Sequence, residues 1–223
     1  MTFSDQLPKT EILITILCLA LIVGIPQYGV IGAFVLVFAY IRRSKERSTL
    51  LTSIGFRKPH SGIKVLLTTL LLGIAIELFA EIIFNPLAEK IVGAPIDLTR
   101  VDFQGSILVY LVWVIIGFVL GGLLEEVLFR GFLLTRVAKL FANADAGKVF
   151  GLVTTSVVFG LCHLYQGWGG VLSTGFIGLL LGSVFLLSGK NLWYVILTHG
   201  FINLASITIL YLNYYDSLKS LVF

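Results

Sequence analysis

Residues 149–189 read VFGLVTTSVVFGLCHLYQGWGGVLSTGFIGLLLGSVFLLSG, 41 positions without Asp, Glu, Lys or Arg. A helix needs about 20 apolar residues to cross a bilayer. The stretch is therefore long enough for two crossings, and the turn-forming Gln166-Gly167-Trp168-Gly169-Gly170 near its middle divides it. Working outward, Lys190 and Asp216 enclose 25 uncharged residues, Asp102 and Glu125 enclose 22, and Glu11 and Arg42 enclose 30. Residues 65–84 make a further apolar stretch, although Glu77 and Glu81 lie in it. The 30-residue run is long for one span and short for two, with Pro26 near its middle. One long, kinked or tilted helix is expected there, with two short half-spans as the alternative. The pattern predicts an all-α fold, a polytopic transmembrane helix bundle of six spans, or seven to eight if the N-terminal segment folds back. Without a repeat, low-complexity tract or linker, residues 1–223 read as a single membrane domain.

Composition agrees. Hydrophobic residues are 57% of the chain, charged residues 13%, and mean hydropathy is +1.00. A soluble domain is nearer half apolar and a quarter charged. These values exclude a disordered chain, a coiled coil and a nucleic-acid module. Cys18 and Cys162 both lie in apolar runs, which gives neither a disulfide framework nor a CxxC zinc ribbon. Glu11 interrupts the N-terminal region and no small-residue cleavage pattern follows an early apolar core, so a cleaved signal peptide is not expected.

The net charge of +4 is unevenly placed. Segment 42–64 carries Arg42, Arg43, Lys45, Arg47, Arg57, Lys58 and Lys64. Segment 126–148 carries Arg130, Arg136, Lys139 and Lys148, and Lys190 sits in the next turn on that side. Together these are 12 of the 16 Lys and Arg, all on alternate loops. The other loops hold Lys90 and Arg100 against Glu89, Asp97 and Asp102. By the positive-inside rule the 42–64 and 126–148 loops face the cytoplasm, and six spans would leave both termini outside it.

Ionisable groups inside a membrane are costly and mark function by default. Gly121-Gly122-Leu123-Leu124-Glu125-Glu126-Val127-Leu128-Phe129-Arg130 places Glu126 and Arg130 at i,i+4, where they can pair, and leaves Glu125 free on an adjacent face. His163 follows Phe159 by four residues, and Asn203 follows His199 by four, so each pair shares a helical face. Glu77 and Glu81 have the same spacing and either face a polar cavity or snorkel to the outer interface. His60, the third histidine, lies in the basic loop. If the Glu125 helix continues to about Phe141, Glu125 and His163 fall at similar distances either side of the Ala142–Gly147 turn and meet at one depth. That requires Arg130, Arg136 and Lys139 to be protein-lined or snorkelling. His199 lies about 13 Å off that depth at ~1.5 Å per residue, an offset that tilt or a break at Gly121-Gly122 would absorb.

A carboxylate, two imidazoles and an amide suit water activation. Glu125 can take a proton from water with help from His163, and His199 with Asn203 can hold an oxyanion. Alternatively, Glu125, His163 and His199 can bind zinc and lower the pKa of its water. Either arrangement hydrolyses a peptide bond. HExxH and GxSxG are both missing and no Asp lies in a span, which removes the common zincin, serine-hydrolase and paired-aspartate schemes. The rival class is a non-enzymatic membrane protein, such as a bacteriocin-immunity binder or a proton-coupled transporter subunit built on Glu and His relays.

Glu125-Glu126-x-x-x-Arg130, then Phe159-x-x-x-His163, then His199-x-x-x-Asn203 resemble the three ordered motifs of the CPBP family, the CAAX proteases and bacteriocin-processing enzymes also called the Abi family. Phe129-Arg130-Gly131 adds to the likeness, which covers residues 107–211 as a catalytic core. The resemblance implies an all-helical intramembrane endopeptidase acting on a membrane-embedded or lipid-anchored peptide or protein. By that likeness Glu125 is the base assisted by His163, His199 and Asn203 form the oxyanion site, and Glu126, Arg130 and Phe159 support them. The eukaryotic branch cleaves prenylated C-termini. This short chain looks more like a bacterial member, placing it in a bacterial cell membrane, and a prenyl substrate is not assumed. Some members are labelled metalloproteases. Here a zinc-bound Glu125 would leave only Glu126 as base, and Glu126 is better placed to pair with Arg130. The expected protein therefore needs no cofactor.

Overall fold

Four of the long helices start at a side chain that caps them. Ser61 accepts from the Lys64 amide, Ser106 from Val109, Asn143 from Asp145 and Ala146, and Asn191 from Trp193. Each satisfies amide donors that a helix N-terminus leaves without partners. The structure, a computed structural model, describes residues 7–26, 28–59, 61–99, 105–141 and 143–221. His60, Arg100, Asp102 and Ala142 of the inter-helix turn, all named above, lie outside the described residues.

Among those residues the fold is all-helical, with α1 (Lys9–Gly24), α2 (Gly29–Arg43), α3 (Arg47–Ser53), α4 (Gly62–Val92), α5 (Ile107–Ala138), α6 (Ala144–Leu161), α7 (Leu164–Leu187), α8 (Leu192–Tyr211) and α9 (Tyr215–Lys219). The five helices α4 to α8 are long and apolar enough to cross a membrane. They correspond to five of the six expected spans. Central α8 packs on α4 and α5, and α6 packs on α7. The last crossing is close: a Cβ on Gly160 would come 2.5 Å from the Val171 carbonyl oxygen. Small residues at such points let apolar helices approach where lipid supplies no hydrophobic drive. Large apolar side chains point outward, among them Leu71, Leu108 and Ile115.

The N-terminal run departs from the favoured single helix. It breaks at Ile25-Pro26 and folds back as the hairpin α1–α2. Proline cannot donate to the helical ladder and disfavours helix at the residue before it. The return is tight, because a Cβ on Gly29 would lie 2.0 Å from the Leu21 carbonyl oxygen. With 16 and 15 residues, each arm is about 24 Å long, short of the ~30 Å hydrocarbon core. A buried cluster closes the hairpin's open end: Glu11 accepts from Tyr40 Oη at 2.9 Å and from Arg136 Nε at 3.1 Å. Arg136 also donates to Ser53 Oγ at 3.0 Å. The start of α1 therefore lies at the same end as the end of α2, α3 and the end of α5. This corrects the expectation that both termini share the opposite end; only the C-terminal segment lies there.

The two ends of the bundle are held by separate contacts. At the basic end the Leu192 amide donates to the Gly55 carbonyl at 2.9 Å and Arg57 reaches the Gly189 carbonyl at 3.4 Å. Lys190 there has a left-handed φ of 61°. Burial, then the nearby Lys148, Lys139 and Arg57, hold its ammonium below the usual lysine range. At the other end the Asp97 amide donates to the Gln166 carbonyl at 3.0 Å, and Lys219 pairs with Glu89.

Candidate active site

α5 is not a regular α-helix throughout. It is α-helical over Ile107–Ile116, then π-helical over Gly117–Glu125 and Val127–Leu134. α4 has a π turn at Ala80–Phe84. Such i→i+5 turns re-aim side chains and often occur at functional sites. Glu81 lies in one of these segments, Glu125 ends another, and Glu126 joins the two in α5. Wide turns also shorten a helix per residue, which helps absorb the depth offset expected between Glu125 and His199. Gly121-Gly122 does not break the helix. It lets α5 approach α8: a Cβ on Gly122 would lie 3.0 Å from the Ile196 carbonyl oxygen, and one on Gly121 would lie 2.3 Å from Asn203 Nδ2 and 3.4 Å from His199 Nε2.

The paired glutamates have different surroundings. Glu126 is 0% exposed and Arg130 is 1% exposed. Arg130 Nη1 donates to Glu126 Oε1 at 2.6 Å and Nη2 to the Gly178 carbonyl at 3.0 Å. His199 Nδ1 reaches the same Glu126 oxygen at 2.7 Å. Glu126 Oε2 has no partner among the described residues. Glu125 is half-buried and lines a cavity of about 330 Å³ with His163, His199 and Asn203. Arg130 and Arg136 are enclosed by protein and Lys139 is exposed, as the longer α5 requires.

Phe159 organises both imidazoles. Its ring is 5.1 Å from that of His163 and 5.9 Å from that of His199, with the Arg130 guanidinium 4.6 Å from its centroid. The Phe159 carbonyl can only accept, so His163 Nδ1, 3.0 Å away, carries the proton. In the neutral ring Nε2 then keeps its lone pair. His199 Nδ1 donates likewise to the Glu126 carboxylate. To donate from Nε2 as well, the ring must hold both protons, with Glu126 as counter-charge. Asn203 Nδ2 donates one hydrogen to the Gly117 carbonyl at 2.9 Å, where α-helical geometry gives way to π, and keeps a second.

Glu77 and Glu81 line this same cavity and are 3% and 4% exposed, so they face it and do not snorkel to the interface. Asn85 donates to Glu81 at 3.1 Å and accepts from Ser173. Neither Asn85 nor Ser173 was expected from the sequence. The i,i+4 spacing of Glu81 and Asn85 was the available signal for the first; nothing in the sequence singles out the second. Cys162 is a buried free thiol whose Sγ contacts the Val158 carbonyl at 3.3 Å. Among the described residues no three His, Cys, Asp or Glu side chains gather as a metal site.

Residues 107–205 match a family model described as type II CAAX prenyl endopeptidase Rce1-like. No curated protein and no solved structure matches the chain. The matched stretch runs from the start of α5 into α8 and contains both glutamates, both cavity-lining histidines and Asn203. Over that stretch, from α5 into α8, the chain is similar to the CAAX endopeptidases of the CPBP family, and its five long apolar helices are those of an integral membrane protein.

Proposed function

We propose that the protein is a glutamate-dependent intramembrane endopeptidase. The observation that carries this reading is the split between the two neighbouring carboxylates. Glu126 is consumed by Arg130 and His199, while Glu125 faces a cavity that also holds His163, His199 and Asn203. Glu125 takes a proton from water, and Nε2 of His163 accepts from the same water and orients it. The water oxygen bonds to the scissile carbonyl carbon, and negative charge passes to the carbonyl oxygen. His199 Nε2 and the remaining Asn203 N–H donate to that oxygen. Collapse of the tetrahedral species breaks the C–N bond, and the proton held by Glu125 goes to the leaving amine. The scheme uses these side chains and water alone.

One observation favours a second reading, a proton-coupled transporter: Glu77 and Glu81 share the cavity with Glu125. A transporter needs the polar path to continue. Beyond the cavity α5 presents Leu128, Phe129, Phe132, Leu133 and Leu134, all 0% exposed in the apolar core, which supports a closed-ended reaction chamber. Cleavage can be tested before any substrate is identified. Membranes from cells expressing the wild type or Glu125→Gln are compared for peptide termini by mass spectrometry. The endopeptidase reading expects new termini in the wild type alone; identical sets overturn it.

A further inference from the structure

Resting on the endopeptidase reading, we infer that the substrate enters from the face of the membrane opposite the cytoplasm, and that it is an outward-facing, membrane-tethered peptide segment rather than a cytoplasmic prenylated C-terminus. The cavity has a definite polarity along the bundle. Its lining reaches Ile96 and Leu98 after α4, Tyr165 and Gln166 before α7, and Tyr215 in α9. These positions all belong to the end joined by the Asp97–Gln166 and Lys219–Glu89 contacts. Towards the other end the buried Phe129, Phe132 and Leu133 close it.

The charge distribution orients that axis. The blocked end carries the seven cations of the 42–64 loop, Lys139, Lys148 and Lys190, and the hairpin adds Lys9, against Glu46 and Asp145. The open end carries Glu89, Asp97 and Asp216 against Lys90 and Lys219 among the described residues. Basic loops are retained in the cytoplasm, so the open end points away from it. The size of the chamber narrows the substrate further. At about 330 Å³ it is near the lower limit of ligand pockets, ~300–1,000 Å³, and takes a short extended segment, not a folded domain. Trp113, Leu120 and Leu210 on its wall suit a segment that remains held at the bilayer.

Cysteine labelling tests the sidedness without any activity. In a background lacking Cys18 and Cys162, Leu98→Cys and Gln166→Cys mark the open end, and Lys45→Cys and Lys139→Cys mark the basic end. Intact cells and inverted membrane vesicles are treated with a membrane-impermeant maleimide, using only variants that elute as the wild type does on size exclusion. The expected result is labelling of 98 and 166 in intact cells and of 45 and 139 only in inverted vesicles. The reverse pattern, or labelling of both ends from both sides, overturns the inference. Failure of the protease reading looks different: termini would not depend on Glu125, whatever the labelling.

Discussion

Glu125 and Glu126 carry the same side chain one position apart, yet one is a cavity-facing carboxylate and the other a buried carboxylate that pairs with Arg130 and bonds to His199. That difference sets opposite outcomes for the same isosteric change. Glu126→Gln removes the charge that compensates Arg130, and breaking a buried pair typically costs about 3–5 kcal/mol. Thermal unfolding of the detergent-purified variant is expected to show a clearly lower midpoint. An unchanged midpoint combined with full loss of cleavage would exchange the roles of the two residues. Metal dependence is also tested at this scale. His163 and His199 each have Nδ1 engaged, by the Phe159 carbonyl and by Glu126. Active protein stripped by chelation should keep its rate. One zinc per chain, with activity lost on stripping and restored by zinc, would make Glu125, His163 and His199 ligands.

At the scale of elements, the long helices were legible because charges are rare enough to bracket them. The capping side chains Ser61, Ser106, Asn143 and Asn191 fall where the apolar runs begin. The hairpin α1–α2 was not legible, since 30 uncharged residues favour one long tilted helix over two short arms and only Pro26 hints at the break. Its lock, Glu11 with Arg136, joins residues 125 apart in sequence, and no local pattern announces such a pair. The π turns of α4 and α5 leave no periodic signature either, because a few wide turns shift side chains without changing composition. For the site, Phe159–His163, His199–Asn203 and the Glu126–Arg130 pair follow from i,i+4 spacing, and Glu125 from its place on the adjacent face. The His199–Glu126 bond does not, since it joins two helices. The close crossing of α5 on α8 gives a further prediction. Gly121→Ala would drive a methyl into Asn203 Nδ2, 2.3 Å away, so cleavage should fall at least tenfold in a protein that still purifies as the wild type; unchanged kcat would show that Asn203 can move freely. In the α7–α8 turn, Lys190 holds a left-handed backbone amid like charges. That conformation costs most residues ~1–2 kcal/mol and asparagine less. Lys190→Asn should raise the unfolding midpoint by ~2–4 °C for each kcal/mol recovered, and a lower midpoint would contradict this.

At the scale of the whole molecule, a bundle with an apolar outer surface holds the Glu125 chamber, whose lining reaches one end and which is packed shut towards the other by Phe129, Phe132 and Leu133; a separate cavity at the basic end is lined by Glu11, Tyr40 and Arg136. Hydrolysis inside a membrane requires such an arrangement, because water must reach the peptide bond while the remaining surface stays compatible with lipid. Everything rests on Glu125 as the group that activates that water. The most direct measurement is the rate at which purified Glu125→Gln cleaves a peptide spanning a terminus found only with the wild type, beside the wild-type rate and both unfolding midpoints. Matched midpoints and a rate lower by ~10²–10⁴-fold, the usual contribution of a general base, are expected. Equal rates from the two proteins would contradict the assignment.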